Sequence, residues 1–133
     1  MSNVLTESAA PSVLVVDDDD FAHDVLGEML GQLGIASVHA AKDGRVALRV
    51  LSGLKPAPAF LICDVFMPDM DGIEFLDRLA TQGFSGGIII LSGVDVEMLN
   101  LSKLIATNGG LNILGAFVKP VTLAQLSGVI GPL

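Results

Sequence analysis

Five short apolar runs constrain this chain more than any other feature. Each is the length of a β-strand, stops abruptly at polar or turn residues, and is followed by a stretch with helical spacing. Ser12 to Asp17 carries the branched run Val13-Leu14-Val15-Val16, and Asp17 to Asp20 end it. Phe21, Val25, Leu26, Met29, Leu30 and Leu33 then recur at helical spacing behind an Asp19 or Asp20 N-cap, and Gly34 closes the helix. Ile35 to Ala40 reads as a second, shorter strand. Asp43-Gly44 opens a helix through Val46, Ala47, Val50 and Leu51, which Gly53 and Pro56 stop. Phe60 to Cys63 is the third strand, with Ile73, Phe75, Leu76 and Leu79 on the helix after it, ended near Gly83. Ile88 to Leu91 stops at Ser92-Gly93, and Asp95 caps a helix through Met98, Leu101, Leu104 and Ile105 that ends at Asn108-Gly109-Gly110. Ile113 to Val118 stops at Lys119-Pro120, and the last helix runs from Thr122 through Leu123, Leu126 and Ile130.

Strands that alternate with helices in this way build a parallel sheet with helices on both faces, because each crossover lays its helix over the sheet. Strands buried on both sides are apolar throughout, which suits the first, third and fourth runs as central strands. The second is shorter and more polar, as an edge strand would be. The fold class expected is therefore α/β, doubly wound.

At 133 residues, with 51% hydrophobic and 17% charged residues, one domain with ample core material is expected. Residues 1–11 read as a flexible tail without the basic start and apolar core of a signal peptide, and residues 12–133 as the domain. No apolar run approaches the roughly 18 residues that a membrane span needs. Cys63 is the single cysteine, so no internal disulfide can form, which fits a reducing compartment. The seven basic residues are scattered and form no patch for nucleic acid, against 15 acidic ones and a net charge of −8.

The acids are not scattered. Asp17, Asp18, Asp19 and Asp20 are consecutive, and Asp64, Asp69 and Asp71 form a second group. Parallel strands bring their carboxyl ends to one edge, so Asp17-Asp18, Asp64, Ser92 and Lys119 converge although they are far apart in sequence. Carboxylates brought together repel one another, and a divalent cation removes that penalty. An all-oxygen set with few protein ligands suits Mg²⁺. A cation, a lysine and a hydroxyl around one carboxylate is an arrangement for phosphoryl transfer onto that carboxylate. The plain readings are that Asp17 to Asp20 are helix caps and a solvated turn, Asp69 and Asp71 turn or cap residues, and His23 and His39 surface or partly packed residues.

Val15-Val16-Asp17-Asp18, Asp64 with Met67-Pro68-Asp69-Met70-Asp71-Gly72, Ser92-Gly93 and Lys119-Pro120, in this order and spacing, resemble the receiver domain of two-component response regulators, of chemotaxis-regulator-like form. The resemblance implies a flavodoxin-like (βα)5 fold with strand order 2-1-3-4-5. It implies Asp64 as phosphoacceptor, Asp18 as direct Mg²⁺ ligand beside Asp64 and the backbone carbonyl of Phe66, and Asp17 as a ligand through water. Ser92 would be the switch hydroxyl and Lys119 the phosphate-contacting base. The family is one of signalling domains rather than enzymes, phosphorylated by histidine kinases or phosphotransfer proteins in the cytoplasm. The implied contacts are the first helix, with Phe21, Ala22 and Val25, for the phosphodonor, and the fourth helix, fifth strand and last helix for an output domain or a second receiver copy. The segment Gly110 to Val121 is similar to receivers joined to cyclic-di-GMP phosphodiesterase domains.

Two departures from the family pattern stand out. Ala116 occupies the place, three before Lys119, where the family carries an aromatic residue, and alternation puts Phe117 on the opposite face. Phe66 and Val94 are apolar where they would flank the phosphate, so slow loss of the phosphoryl group is expected. Two other functions compete with a phosphorylated receiver. One is a degenerate receiver used only as a binding scaffold. The other is a phosphatase or phosphotransferase of the aspartyl-phosphate type, which would need a substrate pocket for which the chain has no spare residues.

Overall fold

The computed structural model describes residues 11–65, 72–93 and 96–131. Strands β1 (Ser12–Val16), β2 (Ser37–Ala41), β3 (Phe60–Asp64), β4 (Gly87–Ser92) and β5 (Asn112–Val118) alternate with helices α1 (Asp20–Gln32), α2 (Gly44–Gly53), α3 (Gly72–Gln82), α4 (Val96–Asn108) and α5 (Leu123–Ile130). All strands pair in parallel, in the order β2-β1-β3-β4-β5. This is the doubly wound architecture expected from the alternation, with the flavodoxin-like strand order that the resemblance implies.

The sheet divides the core in two. Leu14, Val16, Leu61, Cys63, Ile88 and Ile90 pack with α2, α3 and α4, against Ala47, Phe75, Leu76, Leu79, Leu99 and Ala106. Their chain neighbours Val13, Val15, Ile62, Ile89 and Leu91 pack with α1 and α5, against Leu26, Leu30, Leu126 and Ile130. Successive side chains on a strand point to opposite faces, so a strand covered on both sides must be apolar at every position. Each such leucine, isoleucine or phenylalanine contributes about 1.5–3 kcal/mol by leaving water.

Three helices end in the same way. At the end of α1, Gly34 has φ +93° and donates to the Gly31 carbonyl, while the Ile35 N–H donates to the Leu30 carbonyl at 3.0 Å. Gly83 with Phe84 closes α3, and Gly110 with Leu111 closes α4, in the same pattern. A left-handed residue followed by an apolar one is the Schellman ending, in which the apolar residue returns to the core. It corrects one expected boundary. Ile35 is buried but belongs to the α1 ending, so β2 begins at Ser37 rather than Ile35. The N-termini are capped by Asp19, Asp43 and Thr122, the last with a reciprocal Gln125 bond. Asp95, expected to cap α4, lies outside the described residues.

β5 carries an irregularity. Ile88 pairs with Ile113 and Ile89 with Gly115, so Leu114 is an extra residue in the ladder. The bulge resets the alternation. Ile113 and Ala116, three apart, both pack with the α2–α4 side, whereas Leu114 and Phe117 pack with the α1–α5 side. Ala116 and Phe117 therefore face opposite ways, as expected. A Cβ added at Gly115 would stand 2.9 Å from the Phe117 ring and 3.0 Å from Val129, so the ring lies over the strand at a residue without a side chain.

Two glycines should respond oppositely to alanine. Gly27 sits inside α1 with open space around it. Gly27→Ala should raise stability by about 0.5–1 kcal/mol, because glycine is a poor helix former. Gly72 begins α3, donates to the Val65 carbonyl at 3.0 Å, and an added Cβ there would collide with the Val65 backbone. Gly72→Ala should cost about 1–3 kcal/mol through overpacking. Urea denaturation of both variants checks the pair, and equal shifts of the same sign would contradict the geometry.

Candidate phosphoacceptor and cation site

The carboxyl ends of β1, β3, β4 and β5 deliver Asp17, Asp64, Ser92 and Lys119 to one edge of the sheet. Backbone bonds that continue past the strands fix this edge. Asp17 N–H donates to the Ala41 carbonyl, Val65 N–H to the Leu91 carbonyl, and Lys119 N–H to the Ser92 carbonyl at 2.8 Å. The side chains therefore start from backbone held on the neighbouring strand.

Lys119 is the centre of the charge arrangement. Its Nζ lies 2.6 Å from Asp17 Oδ2 and 3.1 Å from Asp64 Oδ2. Asp17 and Asp64 are buried, whereas Asp18 is exposed. Asp17 Oδ1 accepts the Asp19 N–H at 2.9 Å, and Asp19 Oδ1 accepts the Phe21 N–H at 3.1 Å as the cap of α1. The acidic run is thus folded into a turn in which each carboxylate of the pair Asp17 and Asp19 receives a backbone donor.

Asp17, Asp18 and Asp64 each offer a carboxylate oxygen, and these oxygens lie within 4.8 Å of one another. Three carboxylates against one ammonium leave two negative charges in a partly buried space. Oxygen-only donors with that excess suit a hard divalent cation, which would remove it. Both Asp17 oxygens accept from donors of the protein, and Asp18 is the exposed carboxylate of the three.

The charges displace two pKa values. Burial lowers the Lys119 value, but hydrogen bonds to Asp17 and Asp64 and the charges of both carboxylates outweigh this, so it stands above the usual 10.5. Burial pushes the Cys63 thiol well above its ordinary value, and Asp64 and Asp17 push it further, so it stays neutral and unreactive at ordinary pH. Ser92 is buried at the end of β4. Phe66, Met67, Pro68, Asp69, Met70, Asp71 and Val94 lie outside the described residues, and with them the expected carbonyl ligand and the apolar flanks of the phosphate.

One residue of the site was not read as part of it. His23, expected to be a surface or partly packed residue, places Nε2 2.7 Å from the Asp17 backbone oxygen. The sequence holds a signal for this, because a side chain in the first turn of a helix leans back toward the N-terminus and covers the residues before it. His39 is half-buried on β2, where it pairs with Leu14. No helix among the described residues is long and apolar enough to cross a membrane.

A family model described as the response regulator receiver domain matches residues 13–130, and the chain belongs to that family. Such receivers work in two-component signalling, with phosphorelay and an aspartyl phosphate as family features. The chain is 29% identical over 109 residues to the Regulator of RpoS from Escherichia coli, covering 82% of this chain and 30% of that protein. It is also 29% identical over 119 residues to the cyclic di-GMP phosphodiesterase RocR from Pseudomonas aeruginosa, covering 90% of this chain and 30% of that one. The chain thus spans about three tenths of the length of these curated relatives. Among solved structures it is similar to the chemotaxis protein CheY4 of Vibrio cholerae, with a TM-score of 0.72, 28% identity, and coverage of 92% of this chain and 97% of that one.

The Lys119 pairing has a pH signature. A lysine whose folded value is raised stabilises the protein fully below its unfolded value, and that contribution is lost as pH rises through the folded value. With a chelator present, the stability advantage of the wild type over Lys119→Gln should shrink as pH rises above 10.5. Urea midpoints across that rise measure it, and a constant advantage would exclude the ion pairs as its source.

Proposed function

We propose that this chain is a phosphorylated receiver: Asp64 accepts a phosphoryl group from a histidine kinase or phosphotransfer protein, and the acyl phosphate switches a partner. The observation that carries this reading is Lys119 Nζ in contact with both Asp17 and Asp64 beside the three-carboxylate cluster. An Asp64 carboxylate oxygen forms the new bond to phosphorus, the phosphorus–nitrogen bond of a phosphohistidine breaks, and the imidazole leaves with the electron pair and takes up a proton. Lys119 stays on the phosphoryl oxygens as they come onto Asp64, and Ser92 supplies a hydroxyl to them from the end of β4. Asp18 and Asp64, with the Phe66 carbonyl and with Asp17 through water, would hold the Mg²⁺ that neutralises this charge. Residues 12–133 act as the receiver and residues 1–11 as a tail, in the cytoplasm.

Surface features support the partner assignments. A groove of about 200 Å³ between α1 and the β5–α5 connection opens beside Lys119, lined by Ala22, Val25 and Pro120, with Phe21 72% exposed at its edge. It suits an apolar side chain of the phosphodonor. Val96, Leu101 and Leu104 on α4, Val118 on β5 and Leu123 on α5 are exposed and suit an output domain or a second receiver copy. The likeness to a cyclic di-GMP phosphodiesterase supports an output domain of that type.

Ala116 favours the competing reading, a receiver retained only as a scaffold, since no aromatic ring stands on that face of β5 to follow the Ser92 hydroxyl. One experiment separates the two. Incubation with a small-molecule phosphodonor and Mg²⁺, followed by intact mass measurement, should give a single phosphoryl adduct. The adduct should be absent in Asp64→Asn and when a chelator replaces Mg²⁺. A wild-type chain that neither forms an adduct nor consumes the donor would leave the scaffold, and turnover of the donor without an adduct would point instead to a phosphatase or phosphotransferase of the aspartyl-phosphate type.

A further inference from the structure

Four groups of Asp17 have partners, and one partner is unusual. The N–H is held by β2, Oδ1 by the Asp19 N–H and Oδ2 by Lys119. The carbonyl oxygen lies beyond the end of β1, and its donor among the described residues is a side chain, His23 Nε2 at 2.7 Å. A carbonyl oxygen only accepts, so Nε2 carries the hydrogen in this contact. The backbone that carries the ring is anchored, because the His23 N–H donates to the Asp19 carbonyl in the first turn of α1.

Peptide planarity gives the contact its consequence. The carbonyl oxygen of Asp17 is coplanar with the nitrogen and Cα of Asp18. A donor that holds this oxygen restrains the peptide plane, and with it the position of the Asp18 Cα from which the side chain leaves the backbone. The neighbours Asp17, Asp19 and Asp20 all repel the Asp18 carboxylate, and the Lys119 ammonium beside it is engaged by Asp17 and Asp64. From this geometry we infer that His23 is a positioning residue for the cation site. It clamps the Asp17–Asp18 peptide so that the exposed Asp18 carboxylate is presented together with the Asp64 carboxylate. The inference rests on the reading of Asp17, Asp18 and Asp64 as a divalent-cation site, and it adds a residue that carries no ligand atom.

Calorimetric titration of Mg²⁺ into the full chain tests it, with the thermal midpoint of each variant recorded in chelator to establish that it is folded. His23→Phe keeps a ring and loses the donor, and should weaken Mg²⁺ binding about tenfold, as removal of a group that orients a metal ligand does. His23→Gln places an amide N–H near the position of Nε2 and should recover most of that loss, which a role in packing alone would not predict. Asp18→Asn should abolish binding. If Asp18→Asn abolishes binding while His23→Phe binds as tightly as the wild type, or if His23→Gln is as weak as His23→Phe, the positioning role is wrong and the cation site stands. If the wild type takes up no Mg²⁺, or Asp18→Asn binds as well as the wild type, the cation site itself is wrong and the positioning role falls with it.

Discussion

An ammonium group wedged between two buried carboxylates holds the functional edge of this molecule together. Lys119 reaches Asp17 from β5 across the ends of β4 and β3, and reaches Asp64 on the way. Carboxylates taken out of water cost several kcal/mol each unless they are paired and hydrogen-bonded. Here Asp17 has Lys119 on one oxygen and the Asp19 N–H on the other. The lysine bridges the two carboxylates and so holds them close together at the strand ends.

The rest of the fold delivers these three groups with little freedom. The apolar strands are buried on both faces, so their register cannot slip without moving every side chain to the wrong side. Strand-end hydrogen bonds from Asp17, Val65 and Lys119 carry that register into the first residue beyond each strand. Gly72 closes the base of the loop after β3 through its bond to Val65, in a space that admits no side chain. The site is therefore built at strand ends but draws its precision from the sheet interior.

Much of this was legible in the residues, and what was legible is local. The Asp19, Asp43 and Thr122 caps and the glycine endings at Gly34, Gly83 and Gly110 act within one turn of chain, so their positions can be read directly. Ile35 shows where such reading goes astray. An apolar residue after a helix-ending glycine looks like the start of a strand, yet here it completes the helix ending, because its N–H is spent on Leu30. The convergence of Asp17, Asp64, Ser92 and Lys119 was also legible, since it follows from one rule about parallel strands. His23 was missed although its place in the first turn of α1 carried a signal, because its partner is a backbone oxygen rather than another side chain.

The sequence alone determined the alternation of strands and helices, the apolar character of the central strands, the ends of the helices and the set of residues at the carboxyl edge. Each follows from propensity, capping or periodicity within a few residues. The tertiary structure decided matters that depend on distance in space. It put Lys119 nearer to Asp17 than to Asp64 and gave the Asp17 carbonyl to His23. It also set Ala116 and Phe117 on their faces by a bulge at Leu114, and no local pattern announces that extra residue, because it arises from pairing with a strand more than twenty residues away.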